Sequence, residues 1–413
     1  MTSEGDSIEQ IRQQIMSSDS KLDEQSFIQV LSNSPEKSRE QAIKVLELYL
    51  EKKQPSITRI LEELLRSLSE DDSQQRFATQ AIYSISESNP NAVSQLTPNL
   101  VKYVQSDHHY VQKHILKTFL QLAQSDPGLV AQFTDEIVST LSTNQDGLKN
   151  ISTLILSEIA KVEPSAILEV QPTIFEEIQS KSLTNSELLS KGATTHQEIP
   201  HLELELHGQH RLQSLHRRRT LSQLVGKSVI TTQTAVDLSI VLEVLENVED
   251  PVIISSLLDV VAEPNQTVDN ALHRLIPLCN DFLKPEHTPS IRAKAAFILS
   301  MLFERDESTI VEGSRQAFPE LLDLLDHEDP EIRSRVAILC SYIAEYDPHR
   351  IMQARQKFHT LLTDSDQSTR ASALWTLKFI QNETTKEKIQ HIATTDANTE
   401  IKQLATEILH SIE

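Results

Sequence analysis

The stretch that decides the fold is Asp329-Pro330-Glu331-Ile332-Arg333-Ser334-Arg335-Val336-Ala337-Ile338-Leu339. It opens with a helix start. The Asp329 carboxylate can accept an orphan backbone N–H, and Pro330 gives up a donor that no carbonyl would have used. Apolar residues follow at helical spacing (Ile332, Val336, Ile338, Leu339, Tyr342, Ile343) until Asp347-Pro348 opens the next helix. A helix this short with so wide an apolar face must pack on neighbours from both sides. Ser34-Pro35, Asp250-Pro251 and Thr288-Pro289 repeat the start signal elsewhere.

Outward from this stretch the same chemistry recurs at a fixed interval. Arg39, Arg76, Lys113 and Lys149 are separated by 37, 37 and 36 residues, and Arg292, Arg333, Arg370 and Lys402 by 41, 37 and 32. The prolines of Asn89-Pro90, Asp126-Pro127 and Glu163-Pro164 also fall 37 apart. That period is too long for a heptad and too short for an ordinary domain; it fits a helical hairpin repeated along a solenoid.

The quoted stretch resembles the second-helix signature of HEAT repeats, in which an acidic or amide residue precedes a branched-apolar–basic pair. Asp364, Asp366 and Arg370 match it, as do Glu70, Asp72 and Arg76, and again Asp396, Asn398, Ile401 and Lys402; Leu148-Lys149 and Ile291-Arg292 supply the apolar–basic pair. The resemblance covers roughly 22–180 and 236–413. It implies an all-α fold, a right-handed α-solenoid of about nine or ten HEAT-like hairpins. It also implies that Arg39, Arg76, Lys113, Lys149, Arg292, Arg333, Arg370 and Lys402, with Asp72, Asp329 and Asp366, form a structural ladder between repeats. His327 and Pro35 stand where the acidic member is usual, and Ile254 replaces the base, so the ladder has breaks.

Composition narrows the classes. Only seven of 413 residues are glycine, about a quarter of the usual ~7%, which argues against phosphate loops and tight hairpins. With 38 basic and 60 acidic side chains the formal charge is −22, which disfavours nucleic acid and anionic lipid surfaces and favours a partner with a basic region. Cys279 and Cys340 lie far apart in apolar helical segments and read as core thiols. The acidic N-terminus shows no secretory signal and no long apolar run is present, so a cytoplasmic location is expected.

The middle departs from the pattern. Residues 181–236 carry seven basic and four acidic side chains, a net +3, so the remainder carries −25. Gly192, Gly208 and Gly226 fall here, as do His196, His201, His207, His210 and His216. This organises the chain into an N-terminal tail or short helix (1–21), an N-terminal array (22–180), a basic His-rich segment (181–236) and a C-terminal array (237–413). The basic segment reads as a linker; the alternative is a degenerate repeat whose second helix spans 210–225, with Arg217 standing 37 before Ile254.

Few residues suggest chemistry. His207 and His210, spaced i, i+3, with His216 are the only metal candidates, but zinc needs convergent, rigid ligands and no cysteine is near. Gly226-Lys227-Ser228 lacks the earlier glycine of a phosphate loop, Leu221 standing in its place. His327-Glu328 is a single pair, whereas the HEAT-repeat deoxyhypusine hydroxylases hold their di-iron centre with four; a helix-cap role fits it better. No spacing supports nucleophilic catalysis, so no catalytic or cofactor-binding residue is assigned. The run Arg217-Arg218-Arg219, before Thr220 and Ser222, is the concentrated positive charge and the candidate to grip an acidic partner, touch nucleic acid or present a phosphorylation site. Trp375 reads as core by periodicity.

The resemblance therefore implies a non-catalytic scaffold binding another protein along a concave surface. Two other readings are an accessory enzyme of the HEAT-like lyase type and nucleic-acid binding through the basic middle.

Overall fold

The computed structural model describes residues 4–16, 24–34, 38–53, 56–180, 200–315 and 317–412. Regular structure among them is helical throughout, and no helix of the described residues is long and apolar enough to cross a membrane. The chain forms two compact units, 1–232 and 233–413. Each is a stack of hairpins with a first arm and a second helix, the arrangement of an α-solenoid. Ten hairpins can be followed among the described residues.

The second helices of the N-terminal unit are α1 (Arg39–Lys53), α2 (Asp72–Ser88), α3 (His109–Ser125), α4 (Asp146–Ile159) and α5 (Pro200–Thr232). Those of the C-terminal unit are α6 (Pro251–Ala262), α7 (Pro289–Leu302), α8 (Pro330–Tyr346), α9 (Gln367–Phe379) and α10 (Thr399–Ile412). Successive second helices pack side by side: α2 on α3, α3 on α4, α4 on α5, then α6 on α7, α7 on α8, α8 on α9 and α9 on α10.

Local chemistry explains the starts. Asp71 caps α2 through the Gln74 N–H at 3.0 Å. Asp250 caps α6 through the N–H groups of Val252 and Ile253. Asp329 and Asp366 cap α8 and α9, accepting from Glu331 at 2.9 Å and Thr369 at 2.6 Å. Each such cap stabilises its helix by about 1 kcal/mol. Several first arms are interrupted instead. Pro98, Pro172 and Pro319 each stand at the start of a fresh helical segment, because proline lacks the N–H that would continue the previous one.

Small residues set the packing. Ala293, Ala295 and Ala296 of α7 and Ala337 and Ala344 of α8 are fully or nearly fully buried, which lets neighbouring helices approach closely. Cys279 and Cys340 are buried free thiols. Burial pushes both thiols up, that of Cys340 to about 12, so neither forms a ready thiolate.

Gly313, in the first arm before α8, faces the buried amide of Asn280. A Cβ at Gly313 would stand 2.0 Å from Asn280 Nδ2 and 2.5 Å from its Cγ. Gly313→Ala is therefore expected to cost about 1–3 kcal/mol. Urea unfolding checks this, and Asn280→Ala in the same chain should recover most of the loss.

The middle segment is built differently from the expected linker. Residues 200–232 form one helix, α5, packed on the arm at 164–179 and on α4. Leu221, Val225 and Val229 are completely buried at i, i+4 and i+8, with Ser222 and Ser228 beside them. The boundary between the units follows Thr232, where Gln233 takes φ 53°, in the left-handed region that ends helices. Asn265 Nδ2 then donates to the Gln233 carbonyl and the Val236 N–H donates to Gln266 Oε1. Residues 181–199, including Gly192 and His196, lie outside the described residues.

Candidate functional site

The ladder residues engage turns and carboxylates within the fold, which removes those groups from the surface. Arg333 of α8 donates through Nε and Nη2 to the Asp364 carboxylate at 2.7 and 2.9 Å, and through Nη1 to the His327 and Glu328 carbonyls of its own turn. Arg370 of α9 repeats the arrangement with Asp396 at 2.9 and 3.1 Å and with the Asp364 and Ser365 carbonyls. The acid stands two residues before the capping residue, so Asp329 and Asp366, expected in the ladder, serve as caps.

The remaining positions vary. Asp72 pairs with Arg76 inside α2 at 2.8 Å. Arg39 lies over the Tyr110 ring, 5.8 Å from its centroid. Lys149 reaches Glu177 at 2.6 Å. Lys113 is exposed on α3 and Lys402 is half-buried on α10.

Arg292 shows the break at His327. The acid position two residues before Asp329 is a histidine, whose Nδ1 accepts the Asp329 N–H at 3.1 Å. Buried Arg292 donates through Nε to the Leu283 carbonyl at 2.9 Å, while its Nη2 has no hydrogen-bond partner. Burial lowers its pKa despite the nearby Glu320, Asp323 and Glu286. His327→Asp supplies the missing acceptor and is expected to stabilise the C-terminal unit by about 1–3 kcal/mol. An unchanged or lower urea midpoint would show that the carboxylate does not reach Arg292.

The tribasic run is not an open basic patch. Arg217 is 3% exposed. Its guanidinium donates to Glu177 at 2.7 Å, Asn150 at 2.7 Å and Asp146 at 2.9 Å. Arg218 Nε donates to the Ile178 carbonyl at 2.6 Å, and Arg219 is half-buried. Thr220 Oγ1 donates to the His216 carbonyl and the buried Ser222 hydroxyl to that of Arg219. Glu177, itself nearly buried, thus joins Lys149 and Arg217, closing the fold where a surface for partners was expected.

His216 is exposed on α5; the side chains of His207 and His210 lie outside the described ones. Among the described residues no group of three or more His, Cys, Asp or Glu is placed to hold a metal ion.

The exposed chemistry lies on the outward side of the second helices. Counted from the ladder arginine, Phe297, Ile338 and Trp375 stand five residues on, and Met301, Tyr342 and Phe379 nine residues on. Because Arg333 and Arg370 are seated alike, these side chains fall at matching heights on packed neighbours. Trp375 is 43% exposed and Met301 44%, whereas Thr369, Ser372 and Thr376 of α9 are buried. This corrects the core assignment of Trp375: Ala373, Leu374 and Leu377 fill the interior of α9 together with those small polar residues, and the tryptophan faces out. Arg335 lies 5.7 Å from the Phe297 ring centroid, and Lys378 lies 4.9 Å from that of Trp375 and 5.4 Å from that of Phe379. Cations in this geometry are attracted to the ring faces.

A smaller patch occupies the N-terminal unit. Lys117 lies 5.1 Å from the Tyr83 ring centroid, and His114 packs on both Tyr83 and Tyr110. Burial pushes the Tyr83 hydroxyl up to about 12, helped by its hydrogen bond to Glu87. Burial likewise lowers His114, and the charges of Lys117 and Lys113 act in the same direction.

The stacked hairpins, the capped second helices and the arginine ladder form an all-α solenoid similar to HEAT repeats, and a family model of HEAT repeats matches residues 318–410. A second family model, described as non-SMC mitotic condensation complex subunit 1, matches residues 81–195. Among solved structures the chain is similar to the crystal structure of Kap121p, with a TM-score of 0.39 and 14% identity, covering 93% of this chain and 45% of that one. It thus spans less than half of that protein's length. A comparison with curated proteins gives no match.

Proposed function

We propose that the protein is a non-catalytic HEAT-repeat scaffold that binds another protein through the outward faces of its second helices. The observation that carries this reading is the strip of Trp, Tyr, Phe and Met side chains, with Arg335 and Lys378 over its rings, repeated at matching positions on α7, α8 and α9. Those residue types are enriched at the centres of protein interfaces. The likeness of residues 81–195 to a complex subunit supports the same reading.

The expectation of a basic partner rested on the whole-chain charge and needs revising at this face. Helices α6–α9 carry six basic and three acidic residues, a net +3, within a unit of sixteen basic and thirty acidic, a net −14. The acid load, a remaining −17, lies on the first arms, turns and ends. Nucleic-acid binding through the middle loses its basis, since Arg217 and Arg218 are committed within the fold.

Capture from extracts of the native cells tests the proposal, using the full chain beside two double variants, Met301→Ala with Trp375→Ala and Tyr83→Ala with Lys117→Ala. At least one retained protein should be lost with one of them. Equal retention by all three forms would sink the reading.

A further inference from the structure

We propose that the strip on α7, α8 and α9 takes an acidic segment of the partner, which sets apolar anchors against Trp375, Tyr342 and Met301 and carboxylates against Arg335 and Lys378. This rests on the scaffold reading and assigns the chemistry of its occupant.

Three observations point the same way. First, α7 and α9 contain no acidic residue at all, although the unit that holds them is at −14. Second, the cations of the strip differ in how far they are committed. Lys294 is bound to Asp259 at 2.6 Å and Arg335 to the exposed Glu331 at 2.6 Å. Lys378 lies over two rings with no carboxylate in ion-pairing reach among the described residues. Third, the ladder arginines 292, 333 and 370 turn into the interior. The charge offered to a partner therefore comes from side chains sitting on exposed rings.

The field then decides orientation. An acidic segment is repelled by the net −17 carried by the arms, turns and ends of the unit, and finds a net +3 on helices α6–α9. A basic segment is drawn to those arms and turns and away from the rings. Covering Lys378 with an apolar partner would strand its charge, whereas a carboxylate laid over it leaves the ammonium paired on one side and stacked on the other. The anchors supply the apolar contact area and the charges supply direction and register.

Trp375 is the only tryptophan in the chain, so its emission reports occupancy of the strip. The test pans a displayed random peptide library on the full-length protein, then titrates the selected peptides while following Trp375 emission. Selected peptides should be net acidic with aromatic or aliphatic anchors. They should change the emission saturably and weaken by about tenfold or more with Lys378→Glu, a loss of about 1.4 kcal/mol. Their affinity should also fall as added salt screens the charges. Lys378 is a surface residue and the variant should keep the wild-type unfolding midpoint; the salt series on unmodified protein provides an independent reading.

Selected peptides that are neutral or basic, or acidic peptides indifferent to Lys378→Glu and to salt, would overturn the inference. If such peptides are nevertheless lost with Met301→Ala and Trp375→Ala, the scaffold reading survives and only the acidic occupant fails. If no peptide is enriched and the face variants retain all captured proteins, both fail.

Discussion

Arg217→Ala is expected to lower the stability of the N-terminal unit by about 3–5 kcal/mol, the cost of breaking a buried ion pair from one side. Arg217 and Glu177 are 3% and 2% exposed at their side chains and meet at 2.7 Å. Removing the guanidinium leaves Glu177 with Lys149 and takes away the hydrogen bonds it donates to Asn150 and Asp146. The loss should be local, because a hairpin in a stack depends on its nearest neighbours. Hydrogen exchange followed by mass spectrometry should show α4, α5 and the arm at 164–179 losing protection, while α7–α9 keep theirs. Pairing Arg217→Met with Glu177→Leu removes both charges and should recover much of the loss. A change below about 1 kcal/mol would mean that the arginine is solvated.

Arg370→Ala is expected to cost the C-terminal unit a comparable 3–5 kcal/mol or so at neutral pH, and this loss should depend on pH in a defined direction. Burial alone would raise the Asp396 carboxyl, but the hydrogen bonds from Arg370 and the Asn398 N–H outweigh it and hold the pKa below the usual value. Asp364 behaves alike with Arg333 and the Asp366 N–H. A depressed carboxylate contributes stability that is complete above its unfolded pKa of about 3.9 and disappears as pH falls through the folded value. The wild-type unit should therefore hold its stability down to about pH 4 and lose it below. In the variant, Asp396 is buried without its cation and tolerates protonation. The gap between the two proteins should thus narrow as the pH falls through about 4. A gap independent of pH would show that packing, not the ion pair, carries the effect.

The hairpin was legible because its signals are local: a capping side chain, a proline and an apolar period that ends at the next cap. What joins the hairpins was less so. Asp364 and Asp366 are two residues apart and chemically alike, and only the path of the turn makes one an ion-pair partner and the other a cap. A run of three arginines reads as surface, since the carboxylate that draws Arg217 inward lies 40 residues away at Glu177. The signal for α5 was present in Leu221, Val225 and Val229, an apolar stripe masked by the basic and histidine-rich composition around it. Trp375 was misread for the converse reason. A helix packed on several sides carries apolar residues around much of its circumference, and periodicity does not say which stripe faces water.

The like seating of Arg333 and Arg370 fixes a pitch. Each arginine grips its own turn with one nitrogen and the next turn's carboxylate with two others, as teeth engage a rack. An insertion of two or three residues between such turns would carry the carboxylate past the tooth meant for it. Adding or removing one whole hairpin hands each arginine an equivalent acid, and the parts mesh again. A stack built this way tolerates changes in whole steps better than fractional ones, and His327, set against Arg292, marks one place where a tooth meets no carboxylate.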